Sequence, residues 1–400
     1  MKIGMILDKS YPPDPRVESE ASTLIKNGHQ VFLFSLNLYH KQKSETIDGV
    51  HVYRYPFSKK VFNKISPLAY SLPFYHLLLR KGLINFIKKI NPEVIHVHDM
   101  EIAGLVMNLN RQWKRPIILD LHENKPEIMK VYSHVNSTLG RLMIDPQRWK
   151  QKQDEFIMQA NMVIVQTLEA KEDILTRLNI SDQKIDVVPN TIRLEVFNDY
   201  PVLDEIVNRY KSKFTLLYIG YTAIRRGIDT LIKSADILKK QIPNLKIVLV
   251  GKSGDDMDLK KMVTARQLNN IVEFTGWQKA NLLRSYIIAS DICLSPLKRN
   301  PHHDTTYANK LFQYMACGKP IIVSDCPAQK NVVLETDCGL IHDSGNEEDL
   351  ARKILYLYKN PEIQEQMGLN GKKAVLEKYN WETASKNLIN LYKKIERTSR

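Results

Sequence analysis

Long apolar runs are missing from this 400-residue sequence. None approaches the roughly 18 to 20 residues that a helix needs to span a bilayer. The apolar stretch at the amino terminus is short and is interrupted by Asp8, so it is typical of a first β-strand and not of a signal peptide. We therefore expect a cytoplasmic protein without membrane-spanning segments.

Cysteine is scarce, and its spacing excludes the common zinc motifs. The four cysteines lie in the C-terminal half without CxxC pairs or nearby histidines at zinc-ligand spacing; they are Cys293, Cys317, Cys326 and Cys338. Free thiols in a reducing compartment are the favoured interpretation. No other part of the sequence supplies a convincing set of metal ligands, so we predict neither a bound metal nor a cofactor.

Negative charge is also in short supply. Lysine and arginine outnumber aspartate and glutamate by 58 to 44, which gives a net charge of +14. Such an excess favours an anionic partner, which can be a nucleic acid, an anionic lipid or a nucleotide.

The segment between Asp48 and Glu93 contains no acidic residue at all. Large apolar residues alternate there with basic ones, which are Arg54, Lys59, Lys60, Lys64, Arg80, Lys81, Lys88 and Lys89. Cations that hold lipid phosphates beside apolar groups are typical of an interfacial segment, so we include an anionic membrane surface among the hypothetical partners. A core helix with a solvated basic rim gives a similar pattern. Nucleic acid is not favoured, because no recognition helix, RNA-binding aromatic strand or zinc module is recognisable.

Short apolar runs alternate with helical patterns along the whole chain. The first series opens with a strand over Lys2 to Leu7, a helix, and a strand over Val31 to Ser35. A second series starts at Phe214, after a polar stretch over residues 199–213 that we interpret as a linker. The pattern predicts an α/β fold of two doubly wound, Rossmann-like domains that face each other across a cleft.

The stretch from His303 to Asp325 is predicted to form a polar turn, a helix and a buried strand. The helix has an apolar inner face, and the residues left for another surface are Lys310, Gln313 and Tyr314. Free backbone N–H groups and the helix dipole favour negative charge, so the start of this helix suits an anion. An ordinary surface helix with a glycine cap is the alternative interpretation.

The stretch from Tyr218 to Leu238 is predicted to form a strand, a loop and a helix that begins after Gly227. The loop carries Arg225 and Arg226. Two guanidinium groups beside a helix N-terminus suit a diphosphate, which they bind through charge-assisted and often bidentate bonds. A solvated loop with two surface arginines is the alternative.

Polar side chains follow two neighbouring strands in the first half. The first set comprises His96, His98 and Asp99, and the second comprises Asp120, His122 and Glu123. Enzymes with α/β folds gather reactive groups at strand carboxyl ends, and histidine exchanges protons near neutral pH. For His96 a purely structural role is the alternative.

Taken together, these motifs resemble the retaining, nucleotide-sugar-dependent glycosyltransferases of family 4, which have the GT-B fold. Similar segments run in order over nearly the whole chain: DPRVESEASTLIKNGHQV, HVHD, DLHE, VPNTIRLEVF, YIGYTAIRRG, LVGKSGD, VEFTGW and NKLFQYMACGKPII. The resemblance implies an acceptor-binding domain over residues 1–200 and a nucleotide-sugar donor-binding domain over residues 201–378. It also implies a terminal helix over residues 379–400 that crosses back to the first domain.

For the donor diphosphate, the resemblance implies binding by Arg226 with Arg225 beside it. Tyr221 stands where a phosphate-binding arginine is frequent in the family. Further donor contacts are implied for Gly251, Lys310 and Leu311.

The family's two signature glutamates fall on Thr305 and Gln313. Both side chains can hydrogen-bond to sugar and ribose hydroxyls, but neither carries a negative charge. Asp304, one residue away, is a candidate to supply that charge.

For the first domain, the resemblance implies that His122 contacts the donor sugar and that Glu123 faces the acceptor. His98 and Asp99 are expected at the same substrate-binding edge. Arg16 is a candidate substitute for the glycine-rich turn that many relatives use near the donor phosphate.

The implied reaction moves a sugar to a glycan or lipid-linked acceptor, in the synthesis of a cell-surface polysaccharide or glycolipid. Arg226, Lys310 and the helix N-terminus would hold the departing nucleotide diphosphate. Because both signature acids are replaced, a non-catalytic nucleotide-sugar or glycan-binding relative is the alternative. The nucleotide-sugar 2-epimerases that share this fold are a third, less favoured interpretation.

Overall fold

The computed structural model describes residues 1–130, 135 and 144–398 of the chain. It divides into two compact units, Met1–Pro189 with Ser385–Arg400, and Asn190–Ala384. Each unit contains one mainly parallel sheet whose strands are connected by helices. The predicted α/β class is confirmed for both.

The sheet of the first unit has the strand order β3-β4-β2-β1-β5-β6-β7-β8. All pairs described are parallel except β3 with β4. The strands are β1 (Lys2–Leu7), β2 (Gln30–Asn37), β3 (Ser44–Ile47), β4 (Val50–Pro56), β5 (Val94–His98), β6 (Ile117–Asp120), β7 (Met162–Val165) and β8 (Ile185–Val187). The order reverses between β1 and β5, and such a switch point is where open α/β sheets form their ligand crevice.

The helices of the first unit connect these strands. They are α1 (Pro15–Lys26), α2 (Lys59–Ile65), α3 (Phe74–Ile90), α4 (Ala103–Trp113), α5 (Lys125–Met129), α6 (Pro146–Gln159) and α7 (Leu168–Arg177). Helix α1 begins where the sequence chemistry requires, because Asp14 accepts a bond from the Val17 N–H at 3.2 Å and Pro15 occupies the first helical position.

The second unit has a parallel sheet of order β11-β10-β9-β12-β13-β14. Its strands are β9 (Phe214–Ile219), β10 (Leu245–Val250), β11 (Val272–Gly276), β12 (Ile292–Ser295), β13 (Ile321–Ser324) and β14 (Gly339–His342). Its helices are α8 (Leu194–Asn198), α9 (Asp204–Tyr210), α10 (Ile228–Leu238), α11 (Asp256–Ala265), α12 (Leu283–Ile288), α13 (Pro301–Asp304), α14 (Lys310–Ala316), α15 (Pro327–Thr336), α16 (Glu347–Lys359) and α17 (Pro361–Glu377). Here the order reverses between β9 and β12.

The unit boundaries differ from the predicted ones at residues 200 and 378. Residues from Asn190 onward belong to the second unit, because Ile192 and Phe197 pack into its apolar core. Part of the predicted linker over residues 199–213 is helix α9, whose Tyr210 is 2% exposed and donates to Glu273 Oε1 at 2.9 Å. The stretch is mostly polar, so the sequence carried little indication that a few of its apolar residues pack against the second unit.

The last helix, α18 (Trp381–Thr398), begins in the second unit, and its residues from Ser385 onward belong to the first. Leu388, Leu391 and Tyr392 are fully buried. Neither α18 nor any other helix in the described ranges is long and apolar enough to cross a membrane.

Strand register gathers the polar loops of the first unit at one edge. Leu7 of β1 pairs with His98 of β5, and His98 pairs with Asp120 of β6. The three strands are parallel, so the residues that follow them leave the sheet side by side. The two polar strand ends found in the sequence are therefore neighbours.

Candidate functional site

A buried ion pair joins α1 to the end of β6. Arg16 donates from Nε and Nη2 to the two carboxylate oxygens of Asp120, at 3.0 and 2.8 Å. Its Nη1 donates to the carbonyl oxygen of Val188 at 3.1 Å, so the same guanidinium also holds the segment after β8. Glu20, one turn along α1, lies 3.1 Å from Arg16 Nε. Arg16 thus forms ion pairs with two carboxylates and holds α1 against the edge of the sheet.

His122 lies between two carboxylates. Its Nε2 is 2.8 Å from Asp120 Oδ2, and its Nδ1 is 3.7 Å from Asp99 Oδ2. His98 Nδ1 lies 3.2 Å from His122 Nε2 and 3.3 Å from Asp120 Oδ2. Lys9 forms an ion pair with Asp99 on its far side. The His122 ring is therefore held from both ends, and its side chain is 11% exposed.

These contacts determine the charge of the site. Burial opposes ionisation of Asp120, but Arg16 and His122 outweigh it and hold the Asp120 pKa well below its ordinary value. Burial also disfavours a charged His122, yet Asp99 and Asp120 raise its pKa to about 9. His122 is consequently a cation at neutral pH. Glu20 behaves in the opposite way, because burial and the neighbouring Asp120 raise its pKa to about 8.

Four buried residues of this network are of types that can ligate a metal. Glu20, His96, His98 and Asp120 each offer one ligand atom within 4.8 Å of the others. The position of Arg16 argues against a cation here, because its guanidinium lies 3.1 Å from Glu20 and 2.8 Å from Asp120. A divalent ion would have to share both carboxylates with that fixed charge. We interpret the group as an ionic network centred on Arg16.

Burial bears on three predicted assignments in the first unit, those of Arg16, His98 and Asp99. Arg16 is 4% exposed and fully engaged by Asp120, so it does not replace a glycine-rich turn against a phosphate. His98 is fully buried and Asp99 is 7% exposed, and both face His122. Both side chains contact His122 and offer little surface to a substrate, so their predicted substrate contacts stay predictions. Glu123 is exposed after β6, and its predicted contact with an acceptor stays a prediction.

Glycines permit two close backbone approaches at the carboxyl edge of the second sheet. Gly251 follows β10 with a φ of +146°, and a Cβ there would lie 1.8 Å from the carbonyl oxygen of Gly220. Gly227 precedes α10 with a φ of +77°, and a Cβ there would lie 1.6 Å from the carbonyl oxygen of Pro296. Only glycine fits either position. Gly251 therefore acts through its backbone, by letting the loops after β9 and β10 pack together.

The two arginines of the predicted diphosphate loop lie in the short turn Ile224–Arg226 before α10. Arg225 Nη1 is 3.3 Å from His303 Nε2, and the Arg225 guanidinium carbon lies 5.7 Å from the ring centre of the half-exposed Tyr221. Burial and the charges of Arg226 and Arg225 lower the His303 pKa to about 3. His303 is therefore neutral and accepts from Arg225. The loop presents positive charge at the strand ends.

Lys310 begins α14 and is 9% exposed. Its Nζ lies 3.6 Å from the centre of the Tyr218 ring. Burial and the charge of Arg226 hold the Lys310 pKa well below its ordinary value. In the part of the chain that the structure describes, no carboxylate lies within 4.0 Å of this amine. A buried amine beside the arginine loop thus lacks a negative counter-charge from the protein.

Helix α14 is more deeply buried than predicted, because α17 packs on it from outside the sheet. Tyr314 is fully buried, and its hydroxyl accepts the Ile219 N–H at 2.8 Å. Leu311 is also fully buried in the apolar core, so only its backbone could make the predicted donor contact. Gln313 is partly exposed.

Asp304 and Thr305 lie at the end of α13, and both side chains have intramolecular partners. Arg299 donates to Asp304 from Nε at 3.1 Å and from Nη2 at 3.0 Å. Thr305 Oγ1 donates to the carbonyl oxygen of Pro301 at 2.8 Å. Asp304 also lines an open cavity of about 770 Å³, together with Lys298, Arg299, Asn300, Asp325, Asp343 and Ser344. The carboxylate of Asp304 is thus already neutralised by Arg299.

The structure adds four residues to which the sequence assigned no role: Lys9, Glu20, Tyr218 and His303. Their contacts join positions far apart in the chain, such as Lys9 with Asp99 and Arg225 with His303. The strand-end rule that pointed to His98 also applies to β1 and would have found Lys9. For Glu20 and Tyr218, inside a helix and a strand, the sequence carries no comparable signal.

Comparison with known proteins joins the two units in one class of enzyme. The family model described as Glycosyltransferase Family 4 matches residues 16–196, and the one described as Glycosyl transferases group 1 matches residues 199–374. Sucrose-phosphate synthase from Thermosynechococcus elongatus superposes with a TM-score of 0.79, over 99% of both chains, at 18% sequence identity. The chain carries the two domains of a GT-B glycosyltransferase.

Two further likenesses extend over nearly the whole of this GT-B glycosyltransferase. Alpha-monoglucosyldiacylglycerol synthase of Streptococcus pneumoniae is 24% identical over 387 residues, which cover 91% of this chain and 80% of that one. A crystal structure of Anabaena HepE in complex with UDP-glucose superposes with a TM-score of 0.71 at 13% identity, over 98% of this chain and 100% of that one.

We expect loss of the His122 proton to make the glycosyltransferase less stable as the solution becomes alkaline. The folded His122 has a pKa of about 9 against 6.5 for an ordinary histidine, so its contribution is complete below pH 6.5 and is lost as the pH rises through 9. Replacing His122 by Asn should remove about 1 to 3 kcal/mol of this pH dependence. Denaturant unfolding near pH 6 and above pH 9 measures it.

His40→Asn is the matched control, since His40 is exposed and has a positive φ that asparagine also adopts. Its pH dependence should equal that of the parent protein. If the unfolding free energy of His122→Asn changed with pH as steeply as that of the parent protein, the His122 imidazolium would not stabilise the fold.

Proposed function

We propose that this GT-B glycosyltransferase is a retaining family 4 enzyme that transfers a sugar from a nucleotide-sugar donor to a glycan or lipid-linked acceptor. The observation that carries the proposal is the buried Lys310 amine beside Arg226, without a carboxylate partner in the described ranges. A nucleotide diphosphate would supply the missing negative charge. The complex of Anabaena HepE with UDP-glucose supports this class of donor.

The same cations give the enzyme its main catalytic contribution. When the bond between sugar and diphosphate breaks, negative charge develops on the leaving phosphate. Lys310 and the N–H groups at the start of α14 lie in a mostly buried setting beside the half-buried Arg226, so they are proposed to need little reorganisation to stabilise that charge. The donor is a substrate, and the proposed reaction needs no separate cofactor or metal.

The first unit is assigned the acceptor, with Glu123 facing it. His122 is proposed to contact the donor sugar. The ring of His122 is fixed by Asp120 and Asp99 and is charged at neutral pH, so both nitrogens carry a proton. Nε2–H donates to Asp120 at 2.8 Å, whereas Nδ1 lies 3.7 Å from Asp99, too far for a hydrogen bond, so Nδ1–H is the donor available to a sugar. A donor group held this rigidly suits a sugar hydroxyl better than it suits proton abstraction. His122 therefore orients the sugar and is not proposed as a general base.

Thr305 and Gln313 are proposed to bind the donor through hydrogen bonds to sugar and ribose hydroxyls. Asp304 does not replace the missing glutamates as a free carboxylate, because Arg299 neutralises it. Its oxygens can still accept bonds from hydroxyl groups in the neighbouring cavity. The comparisons do not favour the non-catalytic alternative, since both halves match glycosyltransferase families.

A transfer assay tests the proposed reaction directly. We expect one nucleotide sugar from a panel of donors to be consumed when lipid or glycan acceptors are present, in EDTA as well as in buffer. The new glycosidic bond should have the anomeric configuration of the donor, as read by proton NMR of the product. Tight nucleotide binding without turnover on any acceptor would favour the non-catalytic alternative, and an inverted product would refute retention.

Arg226→Ala should weaken donor binding strongly, because it removes a charged contact to the diphosphate. A loss of about 2 to 4 kcal/mol is expected. Isothermal titration with nucleoside diphosphates measures this change without requiring turnover. Arg352→Ala is the control, since Arg352 is 74% exposed and pairs with Asp349 on α16. Equal affinities for the two variants would remove Arg226 from the donor site.

The α3 surface, defined here as Phe74, Leu77, Leu78, Arg80 and Lys81, is proposed to contact an anionic membrane. The three apolar side chains are 57%, 59% and 49% exposed. Their spacing places them on one side of α3, while Leu79 and Leu83 are buried on the other. A core helix with a basic rim would instead bury its large apolar residues.

Nearby charge supports the same proposal. The exposed lysines of α2 add positive charge, and they are Lys59, Lys60 and Lys64. Exposed apolar groups among cations match the surface of an anionic bilayer. The lipid product in the name of the Streptococcus pneumoniae relative supports a lipid-linked acceptor. We propose a peripheral enzyme at the cytoplasmic face, where its free thiols would stay reduced.

Vesicle cosedimentation tests the membrane contact. The protein should bind vesicles rich in phosphatidylglycerol and should bind neutral phosphatidylcholine vesicles at least about tenfold more weakly, because the cations contribute only with anionic lipid. Replacing Phe74, Leu77 and Leu78 together by serine should abolish binding to both. Leu369→Ser with Leu376→Ser is the control, since these α17 residues are 55% and 60% exposed. Equal binding to both vesicle types would refute the electrostatic part of the contact.

A further inference from the structure

Tyr392 on α18 reaches into the ionic network of the first unit. The residue is fully buried, and its hydroxyl lies 2.9 Å from His96 Nδ1. The two positions are 296 residues apart in the chain. This single hydroxyl is therefore a direct contact between the terminal helix and the polar residues at the end of β5.

The surroundings of His96 decide which of its nitrogens carries the proton. His96 Nε2 lies 3.7 Å from Glu20 Oε2 and 4.0 Å from Asp120 Oδ2. Asp120 is ionised, so a proton on Nε2 faces its carboxylate favourably, whereas a lone pair there would face it unfavourably. Burial and the neighbouring His98 keep the His96 pKa well below its ordinary value, so the ring is neutral. Its Nδ1 is then an acceptor, and the Tyr392 hydroxyl is the donor.

From His96 the contacts continue to His122. The rings of His96 and His98 are stacked, with centres 4.3 Å apart and planes 26° from parallel. His98 Nδ1 then meets His122 Nε2 at 3.2 Å, and both rings share Asp120 Oδ2. His96 and His98 are fully buried, so neither ring can exchange its partner for water.

We propose that Tyr392 is a positioning residue for His122, acting through the stacked pair His96 and His98. The proposal rests on the function proposed above, in which His122 contacts the donor sugar. The Tyr392 hydroxyl fixes the tautomer and tilt of His96. The stack fixes His98, whose Nδ1 helps to orient the His122 ring. A part of the terminal helix that touches no substrate thereby controls the precision of the sugar contact.

Other groups also face these rings and are part of the same balance. Glu20 and Asp120 face His96, and Arg16 lies between their carboxylates. Asp99 and Asp120 face His122 from its two sides. None of these contacts involves α18, so removing the Tyr392 hydroxyl leaves each of them in place. Removing the Tyr392 hydroxyl therefore tests only the contact between α18 and the stacked rings of His96 and His98.

Tyr392→Phe tests the link, because it keeps the buried ring and removes only the hydroxyl. Histidine-selective NMR should show Nε2–H on His96 in the parent protein and a mixture of tautomers in the variant. The titration midpoint of His122 should move by at least about half a unit, since its geometry between the carboxylates changes. In the transfer assay kcat should fall by about ten- to a hundredfold, while the affinity for a nucleoside diphosphate is retained.

Lys394→Met is the control on the same helix. Lys394 forms an ion pair with Asp186 at 2.9 Å, and its side chain is 48% exposed. We expect unchanged His122 signals and unchanged kcat in this variant. If both variants lose activity equally, α18 acts only by holding the unit together and the proposal is wrong.

Two outcomes separate this proposal from the proposed function. Unperturbed His96 and His122 signals in folded Tyr392→Phe would overturn the positioning role even if the enzyme transfers sugar. A parent protein that transfers no sugar, but whose His122 signals still respond to Tyr392→Phe, would overturn the function and leave the coupling. If Tyr392→Phe does not fold, the NMR spectrum of the parent protein still tests the proposal, because it reports the tautomer of His96. A proton on His96 Nδ1 would contradict the proposed donor role of Tyr392.

Discussion

The bidentate pair between Arg16 and Asp120 is the interaction on which the first unit's site depends. It holds α1 against β6, ties in the segment after β8, and keeps Asp120 ionised in a buried setting. An ionised Asp120 is what allows His122 to stay charged and fixed at the end of the same strand. Removing either partner would leave a buried charge unpaired, which is why this pair cannot be altered without disturbing His122.

The second unit solves the opposite electrostatic problem. Arg226 places positive charge beside the strand ends, and burial together with that charge disfavours the protonated form of the Lys310 amine, against which the described residues place no carboxylate. Such a site is costly until an anion arrives, and the cost is recovered when the anion binds. The first unit thus pairs its charges internally, while in the second the described residues place no carboxylate within 4.0 Å of the buried Lys310 amine. This division agrees with an orienting role for the first and a phosphate-binding role for the second.

The sequence predicted which segments meet at the sheet edges, because strand ends and parallel pairing follow from short local patterns. It did not predict side-chain burial within those segments. Arg16 and Leu311 were expected to contact a ligand, but one is consumed by Asp120 and the other packs in the core. Both outcomes depend on contacts between distant parts of the chain, which local spacing does not encode. Tyr392 shows the same limit, since its partner lies 296 residues away.

Thr305 and Gln313, which stand where the family has glutamates, change the net charge of the proposed donor site. Two glutamates there would partly offset the cations at Arg226 and Lys310. Without them, and with Asp304 neutralised by Arg299, the site is more positive toward a diphosphate and less able to stabilise a cationic sugar. Bond cleavage in the proposed reaction would then be driven mainly by stabilisation of the leaving group. Such a site holds its nucleotide product tightly, so product release becomes a natural candidate for the slow step.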